Sequence, residues 1–253
     1  MATMLKAHFG FTTAGTRLLT NEEATKQGIL DRLDWLVDGT AAGDVLVLTL
    51  SSHGTWTVNR HGDENPDEEL DGRDEVIVPF DYRKDHGLVD DEIAAVLDRV
   101  PEGARCYCVI DTCYSGTATR ELGGGGCACG EEGCGAGLRS RFVSPPVDVQ
   151  NRFSPKKGWR SRRATRDDAM NRISLSGCDD DETSLDIPTT DGNYGLLTHT
   201  LYQALEAGGW KGTVAGIYEA VKKNVVIAAR AMSHRQTPQL HGPRALRRAQ
   251  LFR

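Results

Sequence analysis

The sequence predicts an α/β domain with a mainly parallel sheet covered by helices on both faces. Two short apolar runs, Val45-Leu46-Val47-Leu48-Thr49-Leu50 and Cys106-Tyr107-Cys108-Val109-Ile110, break abruptly into polar turn residues, as buried strands do. Arg172-Ile173-Ser174-Leu175-Ser176 behaves the same way. Between and after these runs, apolar residues recur at helical spacing, so strands alternate with helices.

At 253 residues the chain suits one large domain, and residues 1–253 are read as one. An apolar content of 39% against 26% charged residues fits a globular protein. The net charge of -6 argues against general affinity for nucleic acid or an anionic membrane. No run of eighteen apolar residues appears, and the N-terminus has no signal-peptide pattern. Seven cysteines, an odd number with two inside strand-like runs, point to a reducing cytoplasm rather than a disulfide scaffold.

Residues 1–9 read as a helix already under way, with Met1, Met4 and Leu5 apolar. Arg17-Leu18-Leu19 is a short strand candidate, and Thr20 with Glu23 forms a capping box for the next helix. In that helix Ile29, Leu30, Leu33, Leu36 and Val37 share one face, and the glycines at 39 and 43 end it. Residues 59–75 are acidic and carry no core-facing pattern, so they read as a loop. Val76-Ile77-Val78-Pro79 is a strand cut off by its proline. Asp90 and Asp91 then open a helix, where carboxylates suit the positive end of the dipole, with Ile93, Val96, Leu97 and Val100 on its face.

After Gly116 the composition shifts. A glycine-rich stretch with Cys127, Cys129 and Cys134 gives way to a basic, proline-containing run over 139–166. Residues 117–170 read as a long mobile insertion within the domain. The three cysteines lack a fourth ligand nearby for a tetrahedral zinc site. Helices are expected at about 195–207 and 213–229, followed by an extended tail at Gln236-Thr237-Pro238-Gln239-Leu240.

The chemistry concentrates where two strands end. One delivers Ser51-Ser52-His53-Gly54 and the other Asp111-Thr112-Cys113-Tyr114-Ser115-Gly116. If the strands are parallel neighbours, an imidazole and a thiol emerge side by side at their carboxyl ends, where open α/β sheets place their sites. Such a pair can act as nucleophile and base. Cys106, Cys108 and Cys178 read as core, and His8, His61, His86, His199, His234 and His241 as structural or surface residues.

These turns, with Asp71-Gly72-Arg73-Asp74-Glu75, Asp90-Asp91, Ser176-Gly177-Cys178 followed by Thr183-Ser184, and Gln236-Thr237-Pro238-Gln239, resemble the caspase-like cysteine peptidases of the metacaspase or orthocaspase type. The resemblance implies a caspase-like three-layer α/β/α sandwich and cleavage of peptide or protein substrates after Arg or Lys. His53 and Cys113 would be the catalytic dyad, with the oxyanion held by the backbone N–H groups of Gly54 and Cys113. Ser51 and Asp111 would line the pocket for the residue before the scissile bond. A buried carboxylate there matches a guanidinium or ammonium and disfavours specificity for Asp.

The cleavage needs no cofactor. A calcium activator site would use Asp74, Asp90 and Asp91, but Arg120 stands where calcium-dependent members have an Asp, so activity is expected to survive a chelator. Family members begin with a central strand that this chain lacks, which predicts marginal stability. Basic residues in an exposed stretch of an Arg/Lys-specific peptidase predict self-processing, with Arg139, Arg141, Lys157, Arg160 and Arg163 as candidate sites. The alternative is a catalytically weak or inactive binding or regulatory module on the same fold.

Overall fold

The computed structural model describes residues 1–58, 73–83, 87–113, 139–152, 171–179, 182–190 and 192–253. Its central sheet has four strands in the order β1 (Val45–Ser51), β5 (Arg105–Asp111), β7 (Arg172–Ser176) and β10 (Gln239–His241). β1, β5 and β7 run parallel, and β10 closes the far edge antiparallel. Smaller sheets flank it: β2 (Gly54–Val58), β3 (Arg73–Ile77) and β4 (Leu88–Val89) form one, and β6 (Arg139–Ser140), β8 (Leu185–Thr189) and β9 (Gly192–Gly195) the other.

The layers follow from the two-residue period of β5. Tyr107 and Val109 point into a core with α1 (Ala2–His8), α5 (Leu196–Ala207) and α6 (Val214–Ala231), closed by Leu251 and Phe252. Cys106 and Cys108 point the opposite way, toward α2 (Lys26–Val37) and α3 (Asp90–Leu97). The result is the expected α/β/α sandwich. Each layer's helix carries its own apolar stripe: Leu33 and Val37 in α2, and Ile217, Val221, Val225 and Ala229 in α6, are buried.

Three local expectations are corrected. Arg17, Leu18 and Leu19 form no strand, and Leu18 is 69% exposed. Thr20 begins a single 3-10 turn, and the cap of α2 is Thr25, whose hydroxyl accepts from the Gly28 N–H at 3.0 Å. The segment expected as loop up to residue 75 and strand from 76 is instead strand over Arg73–Ile77, pinned by antiparallel pairing with β2. Tertiary pairing overrides the acidic composition there, and Asp74 is buried.

α1, α3, α5 and α6 fall where the apolar spacing predicts them. Within the segment 117–170 the described residues 139–152 belong to the body of the domain: they form β6 and α4 (Val147–Arg152), and Arg141 and Val149 are buried. The remainder of that segment, the three cysteines at 127, 129 and 134, and Lys157, Arg160 and Arg163 lie outside the described residues. Among the described residues no helix is long and apolar enough to cross a membrane.

Candidate active site at the carboxyl ends of β1 and β5

β1 and β5 are adjacent and parallel, with Ser51 opposite Asp111 at their last paired positions. His53 and Cys113 therefore each stand two residues beyond a matched pair and leave the sheet at the same end. His53 is exposed, its carbonyl accepting from the Val78 N–H at 3.0 Å and from the Ser52 hydroxyl at 2.9 Å. Cys113 is fully buried. Its thiol bonds to the Ser184 backbone and the Ser140 side chain, and burial pushes its pKa up to about 12 against the opposing effects of those bonds and of Arg141. The resting sulfur is therefore a protonated thiol at neutral pH.

Asp111 is also fully buried. Its Oδ2 accepts from the Thr198 N–H at 2.9 Å and the Thr198 hydroxyl at 2.6 Å, so a strand carboxylate caps the first turn of α5. Its Oδ1 makes no hydrogen bond and stands 3.7 Å from Nη1 of Arg141. That guanidinium is 6% exposed at the residue level and fills a pocket of matched groups. Nη1 donates to Ser51 Oγ at 2.9 Å and to the Asp111 carbonyl, while Nε donates to Asp186 Oδ1 at 2.8 Å and Nη2 lies 2.6 Å from the same oxygen. Gly195 forms a wall: a Cβ there would come within 2.1 Å of Asp111 Oδ2 and 2.8 Å of the Arg141 Cζ. Only a residue without a side chain leaves room for both.

The backbone of Arg141 is held as firmly as its side chain. Its N–H donates to the Ser184 carbonyl at 3.0 Å, and its carbonyl accepts from the Gly54 N–H at 2.8 Å. Upstream, Arg139 and Ser140 pair antiparallel with Asp186 and Leu185.

Residues 182–186 are buttressed from the C-terminal tail. Gln236 donates to the Gly177 carbonyl at 2.9 Å and to Ser184 Oγ at 3.2 Å, and accepts from the Leu185 N–H at 3.0 Å. The carboxylate of Glu182 accepts from the Thr237 N–H at 2.5 Å and pairs with Arg235 at 3.2 Å. His234 is buried with its Nε2 at 2.8 Å from the Thr183 carbonyl, a structural role as expected.

A model of the metacaspase, peptidase C14 domain matches residues 1–121. The chain is 30% identical over 235 residues to Metacaspase-1 of Arabidopsis thaliana, covering 89% of this chain and 57% of that protein. It is 34% identical over 226 residues to Metacaspase-2 of the same plant, covering 82% and 46%. The chain is thus similar to the metacaspases over most of its length. It spans about half the length of these metacaspase relatives.

Solved structures agree on the architecture. A crystal structure of the protein GSU0716 from Geobacter sulfurreducens superposes with a TM-score of 0.63 at 23% identity, covering 99% of this chain and 86% of that one. Caspase-1 from Spodoptera frugiperda superposes with a TM-score of 0.54 at 14% identity, covering 96% and 75%. The metacaspase family is one of cysteine-type peptidases with a caspase-like fold.

The structure thus brings together Ser51, Gly54, Asp111, Cys113 and Arg141 from the residues singled out in the sequence, with Arg139 on the neighbouring strand. Among the described residues no three His, Cys, Asp or Glu side chains converge as a metal-holding group. Asp74 is buried within β3, while Asp90 and Asp91 open α3.

Sequence reasoning missed Asp186 and Gly195. Asp186 was legible in principle, because it stands two residues after Ser184 and the period of a strand puts both on one side. Gly195 had no local signal, since what it makes room for comes from β5 and β6.

Proposed function

We infer that this domain is a cysteine endopeptidase that cleaves after Arg or Lys, with Cys113 as nucleophile and His53 as its base. The observation carrying the reading is the pocket of Ser51, Asp111 and Asp186, which surrounds a guanidinium with two carboxylates, a hydroxyl and a carbonyl. A desolvated guanidinium is tolerated only where such partners replace its water. An Asp side chain in the same place would face two carboxylates and be rejected.

In the reaction the Cys113 thiol gives its proton to His53 and the thiolate attacks the carbonyl carbon of the residue seated in the pocket. Negative charge develops on the carbonyl oxygen, where the Gly54 N–H and the Cys113 N–H would receive it. His53 then returns the proton to the leaving amine, and water hydrolyses the thioester. The chain's own residues account for every step without a metal. Free, buried Cys106, Cys108, Cys113 and Cys178 support work in a reducing compartment such as the cytoplasm.

The covered, protonated state of Cys113 favours a second reading, a catalytically silent module on the same fold. Fluorogenic peptides ending in Arg, Lys or Asp decide between them. The peptidase reading expects turnover of the Arg and Lys peptides, abolished in Cys113→Ala, with the Asp peptide inert. Turnover unaffected by Cys113→Ala, or absent from the wild type under all conditions, overturns it.

A further inference from the structure

The helix-facing side of β5 carries two sulfurs that the reaction above does not use. Cys106 and Cys108 are free and buried, in the layer under α2 and α3. Cys106 is the second residue of the strand, so the pair lies toward the amino end of β5, away from the turn that presents Cys113. Their Sγ atoms are 4.0 Å apart and share one hydrogen bond.

That spacing separates two kinds of thiol chemistry. Residues two apart on one face of a strand hold their β-carbons roughly 6.6 Å apart. A disulfide needs them at about 3.5–4.5 Å, so forming one here would distort the strand. A metal bridge reaches further. Two thiolate bonds of about 2.3 Å each span up to roughly 4.6 Å when collinear, and the two sulfurs already lie within that reach.

Packing alone asks for no sulfur at either position, because Leu46, Leu48, Ile93, Leu97 and Val100 belong to the same apolar layer. What sulfur adds is affinity for soft cations. Among the described residues no three His, Cys, Asp or Glu side chains converge, so zinc would lack the four ligands it takes. A soft monovalent ion needs only the two thiolates. Each thiol gives its proton to solvent, and the bridged pair is left with one net negative charge. Arg172 answers that charge. It stands opposite Cys106 in the register of β5 and β7, and its charge acts on both sulfurs. Its side chain is 12% exposed and pairs with the exposed Asp98 at 2.5 Å.

We propose that Cys106 and Cys108 form a two-thiolate site for a soft monovalent cation, Cu(I), with Arg172 as its counter-charge. The site is independent of the peptidase reading, because neither the two sulfurs nor this guanidinium belongs to the cleft of His53, Asp111 and Cys113. A bound ion favours the folded chain, in which β5 holds the sulfurs side by side.

The test counts Cu(I) ions per full-length chain by native mass spectrometry. The ion is supplied anaerobically as its complex with bathocuproine disulfonate, which competes with any weak site. One sample combines Cys113→Ala, Cys127→Ala, Cys129→Ala, Cys134→Ala and Cys178→Ala, leaving the pair as the only thiols. It should hold one ion, and a folded chain that holds none overturns the proposal.

A second comparison sets wild type beside Cys106→Ala and Cys108→Ala. Each variant should hold one ion fewer, because a single sulfur loses to the chelator. Equal counts overturn the proposal, and this comparison stands even if the fivefold variant does not fold. The third measurement needs no variant: the wild-type melting temperature should rise by several degrees when the ion is added, and an unchanged melt overturns the proposal. None of these readouts depends on turnover, so a chain that cleaves no peptide would sink the peptidase reading and leave this site standing.

Discussion

Asp111 serves two masters with its two oxygens. Oδ2 is committed to the start of α5 through Thr198, and Oδ1 is left with no hydrogen bond in a fully buried setting, facing the guanidinium. Asp186 differs, because its side chain is 22% exposed and its carboxylate bonds to the Arg141 guanidinium. The two acids should therefore separate stability from recognition. Asp186→Asn is expected to lower kcat/KM for an Arg peptide about ten- to a hundredfold, the worth of about 1.5–3 kcal/mol for a charged hydrogen bond, with little change in melting temperature. Asp111→Asn should lose activity and also lower the melting temperature by several degrees, since it weakens the cap of α5. Kinetics and a thermal melt on the same preparations check both.

The buried thiol of Cys113 makes a pH prediction with a definite sign. Its folded pKa of about 12 lies above the free value of 9.0, so the fold favours the neutral thiol. That contribution to stability is fully present below pH 9 and is lost as the pH rises toward 12. Denaturant midpoints should fall across that window, and less steeply in Cys113→Ser. Cys178 and Tyr107, whose pKa values burial also raises, add to the same trend. Gly195→Ala belongs with these residues. Its methyl group would meet the Asp111 carboxylate, and a loss of more than tenfold in kcat/KM is expected from steady-state assays.

Among the elements, the C-terminal tail does more than close the sheet. Gln236 satisfies groups on Gly177, Ser184 and Leu185, and so fixes the strand that carries Asp186 and meets the Arg141 amide. Gln236→Ala leaves buried donors and acceptors without partners, which costs about 1–3 kcal/mol. A denaturation curve should register that loss, together with a raised KM for Arg peptides.

How far the elements were legible depends on where their information lies. α5 and α6 announce themselves through local apolar spacing, and so do β1 and β5 through short apolar runs bounded by turns. β3 does not, because the residues that make Arg73–Ile77 a strand are its partners in β2 and β4. The residues 17–19 fail in the opposite sense: their local pattern suits a strand, but no neighbouring strand is there to pair with them among the described residues. The site divides the same way. Ser51, His53, Asp111 and Cys113 sit at the ends of self-evident strands, whereas Asp186, Gly195 and the seating of Arg141 depend on contacts between β5, β6, β8 and α5.

At the level of the whole molecule, two separate cores meet at the sheet, one under α1, α5 and α6 and one under α2 and α3. β1 contributes to both, through Val45 and Val47 on one face and Leu46, Leu48 and Leu50 on the other. A strand so apolar on both faces belongs by composition in the middle of a sheet. Among the described residues it nevertheless forms the edge, bonded to β5 on one side, and Thr49 and Ser51 are exposed.

A rim of that kind is adhesive. Its row of main-chain donors and acceptors offers a template onto which any extended peptide can zip, and two molecules related by a twofold axis present each other with the same ladder. Sedimentation at rising concentration should therefore reveal self-association, and Thr49→Lys, which plants a charge on the rim without entering either core, should suppress it.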